Sequence, residues 1–186
     1  MRWAGWIATI IAVAGLAGCG AATPHNAAPS QGTVTAAFKG SPAPLAQIHA
    51  QANQLLGGGS QAFEARLREL RGHPVVVNMW ASWCEPCQSE FPTYQRASVA
   101  FGRQVAFLGI DAKDQNPSAK AFLGRFPVTY PSYTDPNGSI ASAIGAYQAY
   151  PQTFFFNRQG KKVFDKAGPY LSAAALENDI RRYVLT

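Results

Sequence analysis

Cysteine is scarce in this chain and unevenly placed. Of 186 residues only Cys19, Cys84 and Cys87 are cysteines, which excludes a framework of several disulfides. Histidine is equally sparse: His25, His49 and His73 all precede Cys84, and none follows it. Basic residues form no run. The 16 Lys and Arg against 10 Asp and Glu give a net charge of +6, but they are scattered, mostly between Arg66 and Arg182, so no nucleic-acid partner is expected. No apolar run has comfortable transmembrane length either, since Trp3 to Ala17 falls short of the roughly 20 residues a helix needs to span a bilayer. What remains is ample core material: 47% hydrophobic and 12% aromatic residues, enough for one globular domain with extensions.

The apolar stretch at the start follows a single charge, Arg2, and ends in LAGC, Leu16 to Cys19. That ending resembles the bacterial lipobox. The resemblance implies a lipoprotein signal peptide over residues 1–18, cleavage before Cys19 and lipidation of Cys19, hence an exported protein held to the outer face of a membrane. The segment GAATPHNAAPSQGTVTAAFKGSPAP after it is rich in Ala, Pro, Ser, Thr and Gly with little charge, and reads as a flexible linker over 19–44. His25 lies in it and carries no expected role. A helical stretch, LAQIHAQANQLL, then opens a domain expected over 45–186, with Leu45, Ile48, Ala52 and Leu55 on one side and His49 on the polar side.

Lipidation of Cys19 leaves one pair, in WASWCEPCQSEFP, Trp80 to Pro92. A structural staple is a poor reading of it. Cross-linking removes unfolded-state entropy in proportion to the logarithm of loop length, and a two-residue loop gains little. Zinc would need two ligands beyond the pair, and no further cysteine or downstream histidine supplies them. A redox couple that opens and closes is the reading left.

The surroundings place the motif. Ala62 to Leu70 has helical spacing, with Phe63, Leu67 and Leu70 on one face, and RGHP breaks it, leaving His73 in an exposed turn. VVVNMW, Val75 to Trp80, is a β-branched run of the kind buried inside a sheet. A helix from about Cys84 to Phe101 follows, with a kink expected at Pro92. QVAFLGID, Gln104 to Asp111, is a second buried strand. NPSAKAFLGRF begins a helix with Asn116 as its cap. A DPNG turn leads to a short helix around Ile140 to Gly145, TFFFNRQGKKVFD reads as a hairpin, and Ser172 caps a last helix to Val184.

This order is a βαβ unit joined to a ββα unit. With VVVNMWASWCEPCQSEFP, VAFLGID and AYPQTFFFNRQGK in place, the chain resembles the TlpA/ResA-like family of exported thiol-disulfide oxidoreductases over roughly Phe63 to Tyr183. The resemblance implies an α/β thioredoxin fold, a central mixed sheet flanked by helices. Many members of that family begin with a β-hairpin, from which the helix and GGGS of this chain depart. A copper chaperone of the same superfamily would want wider cysteine spacing and a histidine far downstream.

Cys84 falls at a helix N-terminus, where unpaired amides and the helix dipole favour an anion, so it is the expected nucleophile and Cys87, one turn inside, the resolving thiol. Pro86 suits the first helical turn and stiffens the loop; Trp83 is expected to shield the sulfurs. By resemblance, Tyr150-Pro151 is the cis-proline position, with Thr153 opening the next strand, and the Tyr150 backbone pairs with substrate beside Cys84. Trp83, Glu85, Pro86, Tyr150 and Thr153 are the expected substrate-binding residues. Thioredoxin carries a buried aspartate where this chain has Asn78. The family has an acid at the Glu90 position instead, which makes Glu90 the expected proton acceptor for Cys87.

Glu85 and Glu90 as like charges disfavour a thiolate and argue for a reductant. The expected activity is therefore a protein disulfide reductase needing no cofactor and no metal, anchored to the membrane as a monomer. Its substrates would be disulfide-containing exported proteins, with apocytochrome c as one candidate implied by the family, and a membrane thiol-electron donor would recharge it. The rivals are an exported oxidase using the same residues in reverse, a thiol peroxidase, for which Ala81-Ser82-Trp83 lacks the expected threonine, and a noncatalytic binding module.

Overall fold

The computed structural model describes Met1 and residues 29–186; Cys19 and, Met1 aside, the expected signal segment lie outside the described residues. In chain order the elements are α1 (Gln31–Phe38), α2 (Ala43–Ala50), β1 (Leu55–Leu56), α3 (Gly59–Glu69), β2 (Val75–Trp80), α4 (Glu85–Phe101) and β3 (Ala106–Ala112). After these come α5 (Asn116–Arg125), β4 (Ser132–Asp135), α6 (Ser139–Ala143), β5 (Gln152–Phe156), β6 (Lys162–Ala167) and α7 (Ala173–Tyr183).

The apolar run Val75 to Trp80 forms the centre of the sheet because every one of its side chains is buried, and only an interior strand covered on both faces offers that. Strand β2 runs parallel to β3, with Trp80 opposite Asp111, and antiparallel to β5, with Met79 opposite Gln152. The full order is β1-β4-β3-β2-β5-β6, a mixed six-stranded sheet. Helices flank it: α4 packs on α7 and α1, and α3 packs on α6. The hairpin turns at Asn157–Gly160 as its NRQG sequence requires, the Asn157 side chain accepting from Gln159 and Lys161.

One close approach marks the parallel pairing of β3 and β4, where Gly109 stands opposite Ser132. Trp80 Nε1 donates to Ser132 Oγ at 3.1 Å across Gly109, where any Cβ would collide with that hydroxyl. Trp80 also anchors the aromatic core, 4.8 Å from Phe122 and 5.3 Å from Phe91 by ring centroids. Burying rings of this size contributes roughly 2–3 kcal/mol each before the entropy of ordering them is counted.

Several expectations are corrected. Part of the stretch expected as a flexible linker is helical: Ser30 caps α1 by accepting from Thr33 N–H at 3.2 Å, and the helix packs on α4. Phe38 at its end lies flat on His49, ring centroids 3.6 Å apart. His49 is therefore half-buried rather than on a solvated face, and burial lowers its pKa. His73 is likewise half-buried rather than exposed. The helix over LAQIHAQANQLL stops at Ala50; Asn53 turns the chain at φ 62°, and Leu55–Leu56 becomes an edge strand on β4. The cap of α5 is Gln115, one residue before Asn116. Strand β4 has no counterpart in the sequence reading, since SYTD lacks an apolar run.

Candidate active site

Helix α4 begins one residue after Cys84, which is its N-cap. Cys84 Sγ accepts the Cys87 N–H at 3.2 Å, the position a serine or aspartate oxygen takes in an ordinary cap. Cys84 and Cys87 are joined in a disulfide, Cα atoms 5.3 Å apart. The two cysteines are not equivalent: Cys84 retains 4% exposure and Cys87 none. An incoming thiolate therefore reaches Cys84 first, and a thiolate left on Cys84 would face the helix amides.

The loop ahead of the pair is held from β3. Ser82 N–H donates to Asp114 Oδ2 at 2.5 Å and Trp83 Nε1 donates to the Lys113 carbonyl at 3.1 Å. Trp83 is 56% exposed, so it does not close over a dry pocket; its ring meets Tyr150 in an edge contact with centroids 5.1 Å apart. That contact brings the start of α4 to the Tyr150-Pro151 bond, which is cis. Pro151 precedes Gln152, the partner of Met79, and so sits across from Trp80; its carbonyl accepts from Gly168 N–H at 2.9 Å. Glu85 and Pro86 are exposed at the head of the helix.

Thr153 is a correction. It is fully buried and its hydroxyl bonds to Tyr94 Oη at 2.5 Å, so its side chain faces the interior and not a substrate. Strand β5 begins one residue earlier, at Gln152, which places Thr153 inside the β2–β5 ladder, opposite Asn78.

Glu90, three residues beyond Cys87 on α4, is fully buried. Its Oε2 accepts from Tyr170 N–H at 3.1 Å, while Oε1 makes no hydrogen bond to the protein. Burial outweighs that bond and the pull of Lys166, and lifts the carboxyl to about 8. The Asn78 carboxamide lies close enough to favour both the Glu90 carboxylate and the Tyr130 phenolate, yet neither of its polar atoms meets normal hydrogen-bond geometry. Asn78, Glu90 and Tyr130 thus form a buried polar group under the disulfide-bearing helix. Glu85 and Glu90 therefore do not act on the dithiol as two like charges: Glu85 is exposed and solvent-screened, and Glu90 is mostly neutral at pH 7.

Sequence reasoning passed over Tyr130, Tyr94, Asp111 and Asp114. The aspartates had a signal: they end a buried parallel strand, where α/β sheets gather their sites. The tyrosines had none, because nothing local distinguishes a tyrosine buried near a carboxyl from one in a plain core.

The model of the AhpC/TSA family matches residues 43–163. The thiol:disulfide interchange protein DsbE of Pseudomonas fluorescens biotype C is 36% identical over 93 residues, 50% of each chain. The thiol-disulfide oxidoreductase ResA of Geobacillus thermodenitrificans is 30% identical over 99 residues, 53% of this chain and 56% of that one. The chain spans about half the length of the curated relatives it matches. Among solved structures, MTB dsbF, seen in mixed oxidized and reduced forms, superposes with a TM-score of 0.57 at 28% identity, covering 62% of this chain and 84% of that one. The fold is thioredoxin-like.

Proposed function

The chain belongs to the AhpC/TSA family, and we propose that it is an exported thiol-disulfide oxidoreductase that works as a reductase through Cys84 and Cys87. The observation that carries the reading is the disulfide at the head of α4, with its more accessible sulfur on the N-cap residue and a buried acid one turn below.

In the reduced protein the Cys84 thiolate attacks a substrate disulfide, forming a mixed disulfide and releasing one substrate thiolate. Glu90 in its ionised form takes the proton from Cys87. The Cys87 thiolate then attacks the Cys84 sulfur, closing the Cys84–Cys87 disulfide and releasing the second substrate thiol. Two electrons pass from the protein to the substrate. In the reverse opening step the protonated Glu90 returns a proton to the leaving Cys87 sulfur. An acid near 8 is suited to both roles at neutral pH, because each protonation state is accessible. Pro86 stiffens the loop, and Glu85, Trp83 and Tyr150 line the approach, with the Tyr150 backbone pairing with an extended substrate segment.

The substrates in this reading are disulfide-containing exported proteins, apocytochrome c among them, and a membrane thiol-electron donor restores the dithiol. Lipidation at Cys19 would hold the protein, as a monomer, on the outer face of the membrane, with residues 1–18 as the signal and 19–30 as the tether. Among the described residues no helix is long and apolar enough to cross a membrane.

The test is the reduction potential, measured by equilibration with glutathione at neutral pH. A value near or below about −270 mV, that of thioredoxin, supports a reductase, whereas one near −120 mV, that of a strong oxidant, would turn the reading into disulfide insertion.

A further inference from the structure

We propose that Asp114 is a positioning residue for the dithiol, an acid beside the buried Asp111 that anchors the Ala81–Trp83 turn and thereby holds Cys84 at the head of α4. The functional meaning of this pair rests on the exchange chemistry proposed above.

The pair arises from the sequence GIDAKD at the end of β3. Asp111 stands opposite Trp80 in parallel register, so the ends of β2 and β3 meet directly below the turn. After Ala112 the chain bends through Lys113 at φ 54°, with Lys113 N–H donating to the Asp135 carbonyl at 3.0 Å. That bend aims two acceptors at the turn. The Lys113 carbonyl takes the Trp83 indole N–H, and Asp114 Oδ2 takes the Ser82 N–H, while Asp114 Oδ1 accepts from its neighbour Gln115 N–H at 2.7 Å. A carboxylate acceptor makes a shorter and stronger bond to a backbone N–H than a neutral oxygen does.

Asp111 completes the arrangement. It is 2% exposed, its Oδ1 finds no protein partner, and the charge of the nearby Asp114 disfavours its ionised form. A carboxyl this dry beside a second acid resists ionisation. Burial, then the charge of Asp114, raise the Asp111 acid to about 8. At neutral pH Asp111 therefore mostly keeps its proton, and Asp114 accepts from the Ser82 N–H. Ser82 is two residues before Cys84, and a Cys84 thiolate is favoured by the helix amides only while the turn keeps it at the cap.

Charge and anchoring act in opposite directions on the Cys84 thiol, and this separates them. Asp114→Asn keeps an oxygen for Ser82 N–H and removes the negative charge. Asp114→Ala removes both. In reduced protein carrying Cys87→Ser, with the modified site read by peptide mass, iodoacetamide should alkylate Cys84 in the Asn variant at the rate seen with Asp114 intact or faster. In the Ala variant it should be about tenfold slower than in the Asn variant, one pKa unit at the thiol.

Equal rates for the Asn and Ala variants would overturn the anchoring role. Should the Ala variant fail to fold, amide hydrogen exchange on the unaltered protein decides: Ser82 N–H is expected to exchange at least a hundredfold more slowly than an open loop amide, and free exchange would overturn the proposal. Both readouts report on the turn and the thiol directly. A chain that shows them but exchanges with no protein disulfide sinks the proposed function and leaves the anchor standing.

Discussion

Replacing Glu90 by Gln should make the folded protein more stable, and by an amount that depends on pH. Glu90 has no exposed surface and its acid lies near 8, against 4.5 for a free glutamate. The folded state therefore binds a proton more tightly than the unfolded one. Between pH 4.5 and 8 the unfolded chain has released this proton while the folded protein still holds it, so stability falls as pH rises through that window. At about 1.36 kcal/mol per unit, the loss is about 3 kcal/mol at pH 7 and about 5 kcal/mol above pH 8. Gln keeps an oxygen for the Tyr170 N–H and cannot ionise. The oxidised variant and oxidised wild type should thus be nearly equal at pH 4.5, with the variant ahead by about 3 kcal/mol at pH 7. Asp111 is raised into the same range, so the wild-type curve alone does not assign the effect; the difference between the two curves does. Guanidinium unfolding of both proteins from pH 4.5 to 8.5 measures it. A difference that stays flat across this range would refute the buried, proton-holding Glu90. An unchanged pH profile of dithiol exchange in the same variant would refute its role toward Cys87.

Other outcomes follow from the same geometry. Cys87→Ser should accumulate mixed disulfides with substrate on Cys84, and Cys84→Ser should form none, as read on non-reducing gels; the reverse pattern would reassign the nucleophile. Gly109→Ala should cost roughly 2–3 kcal/mol in thermal or denaturant unfolding, because its Cβ collides with Ser132 Oγ and disturbs the Trp80 bond. Trp83→Ala, at a side chain more than half exposed, should change stability by less than about 1 kcal/mol yet raise KM for a protein disulfide severalfold. Phe38→Ala should uncover His49 and move its lowered pKa back toward 6.5, readable by NMR titration; an unmoved value would mean that α1 does not cover it.

The reading of Val75–Trp80 as a buried strand, of the helix after Cys84 and of the NRQG hairpin came from periodicity, β-branching and turn chemistry, which are properties of neighbouring residues. So did the choice of a redox couple, because counting cysteines and histidines needs no coordinates, and the preference for Cys84, because a helix start is a local signal. Strand β4 was not legible, since SYTD becomes a strand only when Leu55–Leu56 on one side and Gly109–Ala112 on the other offer it hydrogen bonds. The linker boundary failed for the same reason: QGTVTAAF is a weak helix until α4 and His49 give it something to cover. Thr153 was misplaced because strand alternation fixes which residues share a face, but not which face meets the substrate. Above all, the charge states at the site belong to the tertiary structure. Glu85 and Glu90 are equal as letters, and only the packing of α4 against the Tyr170 segment exposes one to water and leaves the other dry enough to keep its proton at neutral pH.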